Sequence, residues 1–162
     1  MTKKPTNKRI RVLVYEDDKD FNDIITKALE KSKEAGKLPK GLILDPVIIP
    51  NNEGFEEFVE NFSLREPFYS FALMDIRIGT NVTAGFSAAD ALRKKVKHED
   101  CPIIMFSKSF SHDAKESAYA AGATSFVKKP SSSKRMVISA LSDILNYWAG
   151  SNMENPVKIS AL

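Results

Sequence analysis

Cys101 is the only cysteine among the 162 residues of the chain. A lone thiol can form neither an internal disulfide nor a cysteine-based metal site, so the sequence fits a reducing compartment. No stretch approaches the ~20 consecutive apolar residues that cross a bilayer, and the amino terminus lacks the apolar core of a signal peptide. We therefore expect a cytoplasmic protein with no membrane partner.

An excess of charge of one sign is also lacking. Lysine and arginine number 24 and aspartate and glutamate 21, which gives a net charge of only +3. So small an excess does not indicate a nucleic-acid partner. Basic residues are concentrated near the amino terminus, where we interpret 1–8 as a flexible, solvated tail rather than as an arm that binds phosphate or a membrane. Residues 149–162 are broken by Gly150 and Pro156 and predict a second tail.

Strand-like and helix-like periods alternate over 9–148, and no internal repeat is present. With 43% hydrophobic residues, a chain of this length is expected to form one domain. The alternation indicates five βα units and hence an α/β protein with a parallel sheet. Pro46 lies inside the second predicted strand and favours an edge position for it. The predicted strands are 10–15, 42–49, 68–74, 102–106 and 124–127. The predicted helices are 20–34, one around Phe55, 84–96, 112–121 and 132–148, the last with Met136, Val137, Leu141, Ile144 and Leu145 inward.

Chemically distinctive residues stand at the ends of the apolar runs. Parallel sheets bind ligands beyond the carboxyl ends of their strands, so these residues are expected to meet in one site. Carboxylates would hold a divalent metal there, and a hydroxyl and an ammonium would hold a phosphoryl group. The residues are Glu16, Asp17 and Asp18 after the first predicted strand, Asp75 after the third, Ser107 after the fourth and Lys129 after the fifth.

Two of these carboxylates suggest a bound cation. If Asp17 converges with Asp75, the two like charges repel each other, and protonation of one or binding of a cation removes that cost. Mg²⁺ is the natural ion, because it takes a few carboxylate oxygens, keeps several waters and accepts a phosphate oxygen. Acids after a strand also occur as loop solvation or as the favoured charge at a helix N-terminus. Both interpretations stay open for the acidic triplet.

Asp75 is the most distinctive of these residues because it interrupts a strongly apolar strand. A buried ion pair with Arg77 or Lys129 is one explanation. The other is a carboxylate nucleophile that forms an acyl phosphate. Ser107 has an alternative of its own, since a serine after a strand can cap the next helix.

Four segments together resemble the receiver domain of two-component response regulators. The resemblance extends over 9–148 and implies a flavodoxin-like (βα)5 fold, a doubly wound parallel sheet in strand order 2-1-3-4-5. Few residues follow the last predicted helix, too few for an output domain, so we expect a stand-alone receiver. The segments are VLVYEDD at 12–18, ALMDIR at 72–77, PIIMFS at 102–107 and AGATSFVKKP at 121–130.

The resemblance implies a phosphoacceptor that takes its phosphoryl group from phosphohistidine on a sensor histidine kinase or a histidine phosphotransfer protein. Such a protein catalyses only its own phosphorylation and dephosphorylation, and it signals to an output protein through the surface of the fourth helix, fifth strand and fifth helix. Phe126 matches the aromatic that changes rotamer on activation, although by itself it reads as a plain core aromatic. The other matching positions are Asp75 as phosphoacceptor, Glu16, Asp17 and the main-chain carbonyl of Arg77 as Mg²⁺ ligands with Asp75, Ser107 as the hydroxyl that ligates the phosphoryl oxygen, and Lys129 as its ion-pairing partner.

Two features depart from the family pattern. The loop 76–84 is longer than usual and lacks the usual proline, so we expect a more mobile segment over the site. Lys108 stands where alanine or glycine is usual, and its side chain either adds a cation or crowds the entrance. Lys108 thereby supports a rival interpretation, a receiver-like binding module that does not use phosphorylation. A phosphatase of the haloacid dehalogenase type is a second rival, but that chemistry needs an aspartate where this chain has Arg77.

Overall fold

The computed structural model describes residues 8–34, 42–61, 69–95, 101–108, 111–129 and 133–151. Within them, five parallel strands form one sheet in the order β2-β1-β3-β4-β5, which confirms the predicted topology. As Pro46 indicated, β2 is an edge strand that pairs with β1 alone. The strands are β1 (Lys8–Tyr15), β2 (Leu42–Ile49), β3 (Tyr69–Asp75), β4 (Ile103–Ser107) and β5 (Ser125–Lys128).

Five helices alternate with the strands and cover both faces of the sheet. One face carries α1 and α5, and the other carries α2, α3 and α4. The fold is therefore the doubly wound, flavodoxin-like α/β fold that the sequence predicts. None of the helices in the described part of the chain is long and apolar enough to cross a membrane. The helices are α1 (Lys19–Glu34), α2 (Asn52–Asn61), α3 (Ala84–Lys94), α4 (His112–Ala120) and α5 (Lys134–Ser151).

Two apolar cores lie on opposite faces of the sheet, because successive side chains of a strand point to opposite sides. Val12 and Val14 of β1 belong to the core beneath α1 and α5. Leu13 and Tyr15 of the same strand belong to the core beneath α2, α3 and α4. The central strands are apolar on both faces for this reason, which is why their sequences read as continuous apolar runs.

Three strands end one residue later than the apolar pattern predicts. Asp75 pairs with Phe106, and Ser107 pairs with Lys128, so these polar residues belong to the sheet itself. Backbone hydrogen bonding continues where the apolar side chains stop, and an apolar pattern does not record it. The carboxylate of Asp75 and the hydroxyl of Ser107 are consequently carried by strands rather than by loops.

The ends of the fold also differ from the prediction. Met136, which we expected to face inward, is 62% exposed. It precedes the buried Val137, and one residue turns an α-helix by about 100°, so only one of the two can face the core.

β1 already begins at Lys8 and α5 continues to Ser151, inside the predicted tails. Residues 1–7 and 152–162, and the side chain of Leu145, lie outside what the structure describes.

Gly85 provides a test of the packing between α3 and the end of β3. An added Cβ would clash with the carbonyl oxygen of Asp75 and lie 2.7 Å from the Cα of Ile76, and neither backbone atom can yield as a flexible side chain does. Gly79 has a φ of +57° but open space at its Cβ position. We expect Gly85→Ala to lower the free energy of unfolding by about 3 kcal/mol and Gly79→Ala by only ~1 kcal/mol. Urea titrations measure both, and equal losses would contradict the packing argument.

Candidate functional site

A cleft of about 740 Å³ opens at the carboxyl ends of β1, β3 and β4. Its residues come from distant parts of the chain, and the parallel pairing of the strands brings them to one edge of the sheet. The convergence predicted from the strand ends is therefore present, whereas the role of each residue stays a prediction. The sequence-predicted residues that line the cleft are Glu16, Asp17, Asp18, Asp75, Arg77, Ser107, Lys108 and Lys129.

The three consecutive acids after β1 face three different environments. Glu16 is only 2% exposed, and its Oε1 accepts a hydrogen bond of 3.0 Å from the main-chain N–H of Asp18. Asp17 is exposed, and its Oδ2 accepts a hydrogen bond of 2.7 Å from the N–H of Gly79. Asp18 caps α1, since its Oδ1 accepts a hydrogen bond of 2.9 Å from the N–H of Asp20. Of the interpretations left open for the triplet, the helix N-terminus thus accounts for Asp18 alone.

The ammonium of Lys129 joins two strands at the cleft. Its Nζ lies 2.6 Å from Glu16 Oε2 and 2.9 Å from Asp75 Oδ2. It also lies 4.4 Å from the centroid of the Phe21 ring, a cation–π contact. The main-chain N–H of Lys129 donates a hydrogen bond of 2.7 Å to the carbonyl of Ser107. Of the two ion pairs considered for Asp75 from the sequence, the one with Lys129 is present.

Burial and mutual contact shift the pKa values of this cluster. Burial raises the pKa of Glu16 to about 7, although the hydrogen bond from Lys129 works in the opposite direction. Burial lowers the pKa of Lys129, but its hydrogen bonds to Asp75 and Glu16 together act more strongly, and its pKa is raised. Lys129 is therefore charged at neutral pH, whereas the pKa of Glu16 lies close to neutral pH.

Three carboxylates of the cleft form a possible metal site. Glu16, Asp17 and Asp75 each offer one oxygen, and these oxygens all lie within 4.8 Å of one another. The Lys129 ammonium contacts two of them, Glu16 and Asp75, so even with Glu16 protonated the group keeps an excess of negative charge that a cation would neutralise. All donors are oxygens, and Asp17 is open to water. This combination suits Mg²⁺, which prefers a few carboxylates and retains water ligands, so the residues present fit a divalent metal.

The loop 76–84 is held against the cleft at several points. Ile78 and Asn81 exchange two main-chain hydrogen bonds of 3.1 and 3.0 Å, and Gly79 supplies the positive φ that the turn between them requires. The side chains of Ile76 and Ile78 are buried. These anchors hold the loop in this conformation, whereas its mobility stays a prediction. Sequence reasoning also missed Gly79 as a partner of Asp17, although a glycine two residues before an asparagine is a turn signal.

Ser107 and Lys108 occupy the wall and the mouth of the cleft. Ser107 is buried at the end of β4. The N-cap of α4 is Ser111, whose Oγ accepts a hydrogen bond of 3.1 Å from the N–H of Ala114. The capping alternative for Ser107 is therefore wrong. Lys108 is exposed at the mouth of the cleft.

Arg77 and Phe126 differ in their relation to the cleft. The guanidinium Nε of Arg77 donates a hydrogen bond of 3.3 Å to the carbonyl of Gly79, so this side chain belongs to the loop rather than pairing with Asp75. Phe126 is opposite Met105 in the sheet and lies in the core beneath α2, α3 and α4, outside the cleft lining. A core position suits both a plain packing aromatic and an aromatic that changes rotamer, and the role of Phe126 stays a prediction.

Solved structures identify the fold. No protein-family model and no curated protein matches the sequence. The phosphorylated cyanobacterial phytochrome response regulator RcpA is 12% identical, with a TM-score of 0.72 over 89% of this chain and 96% of that one. The Mn²⁺-bound response regulator Rcp1 is 13% identical, with a TM-score of 0.67 over 86% and 94%. The chemotaxis protein CheY4 of Vibrio cholerae is 18% identical, with a TM-score of 0.60 over 85% and 100%. The chain has the response regulator receiver fold.

In this receiver fold, the raised pKa of Glu16 predicts a pH-dependent stability. A carboxyl group with a higher pKa in the folded state binds more protons when folded, so its contribution to stability is full at low pH and is lost as the pH rises from 4.5 to about 7. Glu16→Gln removes this titration and keeps the size of the side chain. We expect the stability of Glu16→Gln relative to the parent protein to increase by about 1–3 kcal/mol between about pH 5 and about pH 7.5.

Urea unfolding in the presence of EDTA measures this difference without interference from metal ions. Asp18→Asn is the matched control, because it changes the neighbouring carboxylate that caps α1 and leaves the buried cluster intact. A difference for Glu16→Gln that stays constant with pH would show that Glu16 does not titrate in this range.

Proposed function

We propose that this receiver fold accepts a phosphoryl group on Asp75 from phosphohistidine of a sensor histidine kinase or a histidine phosphotransfer protein. The observation that carries the proposal is the meeting of three carboxylates and one buried ammonium at the carboxyl ends of the strands. Asp75 lies inside this group, its Oδ2 held by Lys129 at 2.9 Å. Its Oδ1 has a longer contact of 3.4 Å with the N–H of Arg77 and is the freer oxygen for attack.

The acidic group supports a role for Mg²⁺. Glu16, Asp17, Asp75 and the main-chain carbonyl of Arg77 would hold the ion. When bound, it would supply positive charge that balances the oxygens of the phosphoryl group. The Mn²⁺ in the Rcp1 structure supports a divalent cation in this fold. Asp17 Oδ2 accepts the hydrogen bond from the N–H of Gly79, so the loop turn and the metal would share this carboxylate.

The chain's own residues account for the transfer. A carboxylate oxygen of Asp75 attacks phosphorus, the P–N bond of the phosphohistidine breaks, and the electron pair remains on the imidazole nitrogen. Asp75 attacks as a carboxylate, so no general base is needed. Negative charge spreads over three phosphoryl oxygens in the transition state. The Lys129 ammonium, already 2.9 Å from Asp75 Oδ2, stabilises this charge without rearrangement at the moment of reaction. The Ser107 hydroxyl joins it as the phosphoryl group arrives.

Signalling follows from the same contacts. The phosphoryl group draws Ser107 towards it, and Phe126 moves into the space left behind. The change reaches the surface of α4, β5 and α5, where an output protein binds. Met136, 62% exposed on α5, and Tyr147, 54% exposed on the same helix, support an apolar docking surface on that helix. We propose no reaction other than the protein's own phosphorylation and dephosphorylation, no nucleic-acid partner, and the cytoplasm as its location.

Phosphorylation can be tested by intact mass. After incubation with Mg²⁺ and acetyl phosphate, we expect about 80 Da to be added to the parent protein and nothing to Asp75→Asn. Asp17→Asn should also remain unmodified, because it removes a metal ligand. Asp18→Asn, which retains the cap of α1, should be modified normally. An unmodified parent protein would favour the phosphorylation-independent binding module, and a modified Asp17→Asn would remove Asp17 from the metal site.

Lys108 generates a prediction about the lifetime of the phosphorylated protein. Hydrolysis needs in-line access for a water, whereas the charge of the phosphoryl group is already met by Lys129 and the metal, so obstruction by Lys108 outweighs its charge. We expect Lys108→Ala to shorten the lifetime several-fold, about 1 kcal/mol in barrier. The loss of the added mass after removal of acetyl phosphate measures it. Lys128→Ala, an exposed lysine on β5, should leave the lifetime unchanged. A longer or equal lifetime in Lys108→Ala would show that Lys108 does not block the water.

A further inference from the structure

A second recess lies between α1 and α5, away from the cleft. Its volume is about 510 Å³, and we call it the basic groove. Four of its five lining residues are cations, and no carboxylate lines it. It shares no residue with the cleft. The basic groove is formed by Lys27 and Lys31 of α1 and by Lys134, Arg135 and Ile138 of α5.

The charges of the basic groove are arranged unfavourably for the isolated protein. Lys27 and Lys31 are four residues apart on one helix, and like charges at this spacing destabilise a helix by about 0.2–0.5 kcal/mol. Lys134 and Arg135 lie in the first turn of α5, which contains no acidic residue and where the helix dipole disfavours cations. None of the four forms an ion pair with another described residue. On α1, Asp23 lies four residues before Lys27 and Glu30 three after it, so Lys31, Lys134 and Arg135 are the cations that an anionic partner would neutralise most.

Ile138 adds an apolar contact to the basic groove. It is half-buried and packs against the core beneath α1 and α5. A simple anion would leave this surface exposed to water. An occupant that combines carboxylates with an apolar side chain meets both the cations and Ile138.

The surroundings of the basic groove favour a narrow occupant over a broad polyanion. Asp23 and Glu30 are exposed on α1, the helix that carries Lys27 and Lys31. A nucleic-acid duplex or an anionic bilayer that covered α1 would bring its phosphates against these two carboxylates. A single segment seated towards Lys134, Arg135 and Ile138 of α5 covers less of this face of α1. The net charge of +3 also provides little long-range attraction for a polyanion.

We propose that the basic groove binds an acidic, amphipathic segment of a partner protein. Carboxylates of the segment pair with the four cations, and one apolar side chain packs against Ile138, in the manner of a helix in a groove. The interaction does not depend on phosphoryl transfer to Asp75.

A fluorescent helical peptide with glutamates on one stripe and leucine on the adjacent one is the probe. Its affinity is measured by anisotropy at about 0.15 M salt, where weak long-range attraction is screened. We expect the double variant Lys134→Glu, Arg135→Glu to bind the peptide at least about ten-fold more weakly. The control is Lys94→Glu, Lys95→Glu, an exposed adjacent pair on the opposite face that changes the net charge equally. Lys94 forms an ion pair of 2.8 Å with Asp90, so the unfolding midpoint of this variant is compared with that of the parent protein. It should bind within about two-fold of the parent protein.

Two further comparisons distinguish an amphipathic acidic segment from a ligand that carries negative charge alone. A peptide with serine in place of leucine should bind more weakly, and Ile138→Ser should abolish that difference. Lys27→Gln, Lys31→Gln provides a second variant in case the reversed charges disturb α5, and unfolding midpoints verify the folding of each variant. Equal losses in the groove variant and its control, or equal binding of the two peptides, would overturn the proposal. The proposal would also be overturned if a DNA duplex or phosphatidylglycerol vesicles bound more tightly than the peptide through Lys134 and Arg135.

Discussion

The buried ammonium of Lys129 is the interaction on which the site depends. It contacts Glu16 after β1, Asp75 at the end of β3 and the ring of Phe21 on α1, so three separate elements meet at one atom. Removal of one partner from a buried ion pair typically costs about 3–5 kcal/mol, because the remaining charge has lost its water. The site is therefore assembled only in the folded chain. Lys129 balances Asp75, and Asp17 and the ionised form of Glu16 add negative charge beyond that, which is the electrostatic condition for a cation between them.

The element order follows from the sequence because both faces of the sheet are covered. Val12 and Val14 face one core and Leu13 and Tyr15 the other, so the strand reads as an uninterrupted apolar run, while the helices keep a period near four. The apolar pattern does not determine where the strands end or which way Met136 faces, because main-chain pairing and helix geometry decide these. Main-chain pairing carries β3 and β4 one residue past the last apolar side chain, and neighbouring helix residues point about 100° apart, so Met136 and Val137 cannot both face the core. An apolar pattern contains neither piece of information.

The site was predictable at the level of which residues converge, and less so at the level of what each contacts. Parallel strands bring their carboxyl ends to one edge, which suffices to bring Glu16, Asp17 and Asp75 together. The division of the acidic triplet into a buried, an exposed and a capping residue depends on how the chain turns after β1. The contact of Asp17 with Gly79 joins residues 62 positions apart and exists only because a loop folds back over the sheet. Ile76 and Ile78 anchor that loop by their burial. The number of residues in the loop does not predict this burial.

Helix α5 connects the two surfaces to which partners are assigned. Val137 and Leu141 face the core, and Met136 and Ile138, two residues apart, point to opposite sides of the helix because each residue turns it by about 100°. Ile138 belongs to the basic groove, whereas Met136 is exposed on the other flank. A segment in the groove and an output protein on the proposed surface of α4, β5 and α5 would therefore contact one helix without overlapping. Because they share no side chain, binding at one surface changes affinity at the other only to the extent that α5 itself shifts against the sheet.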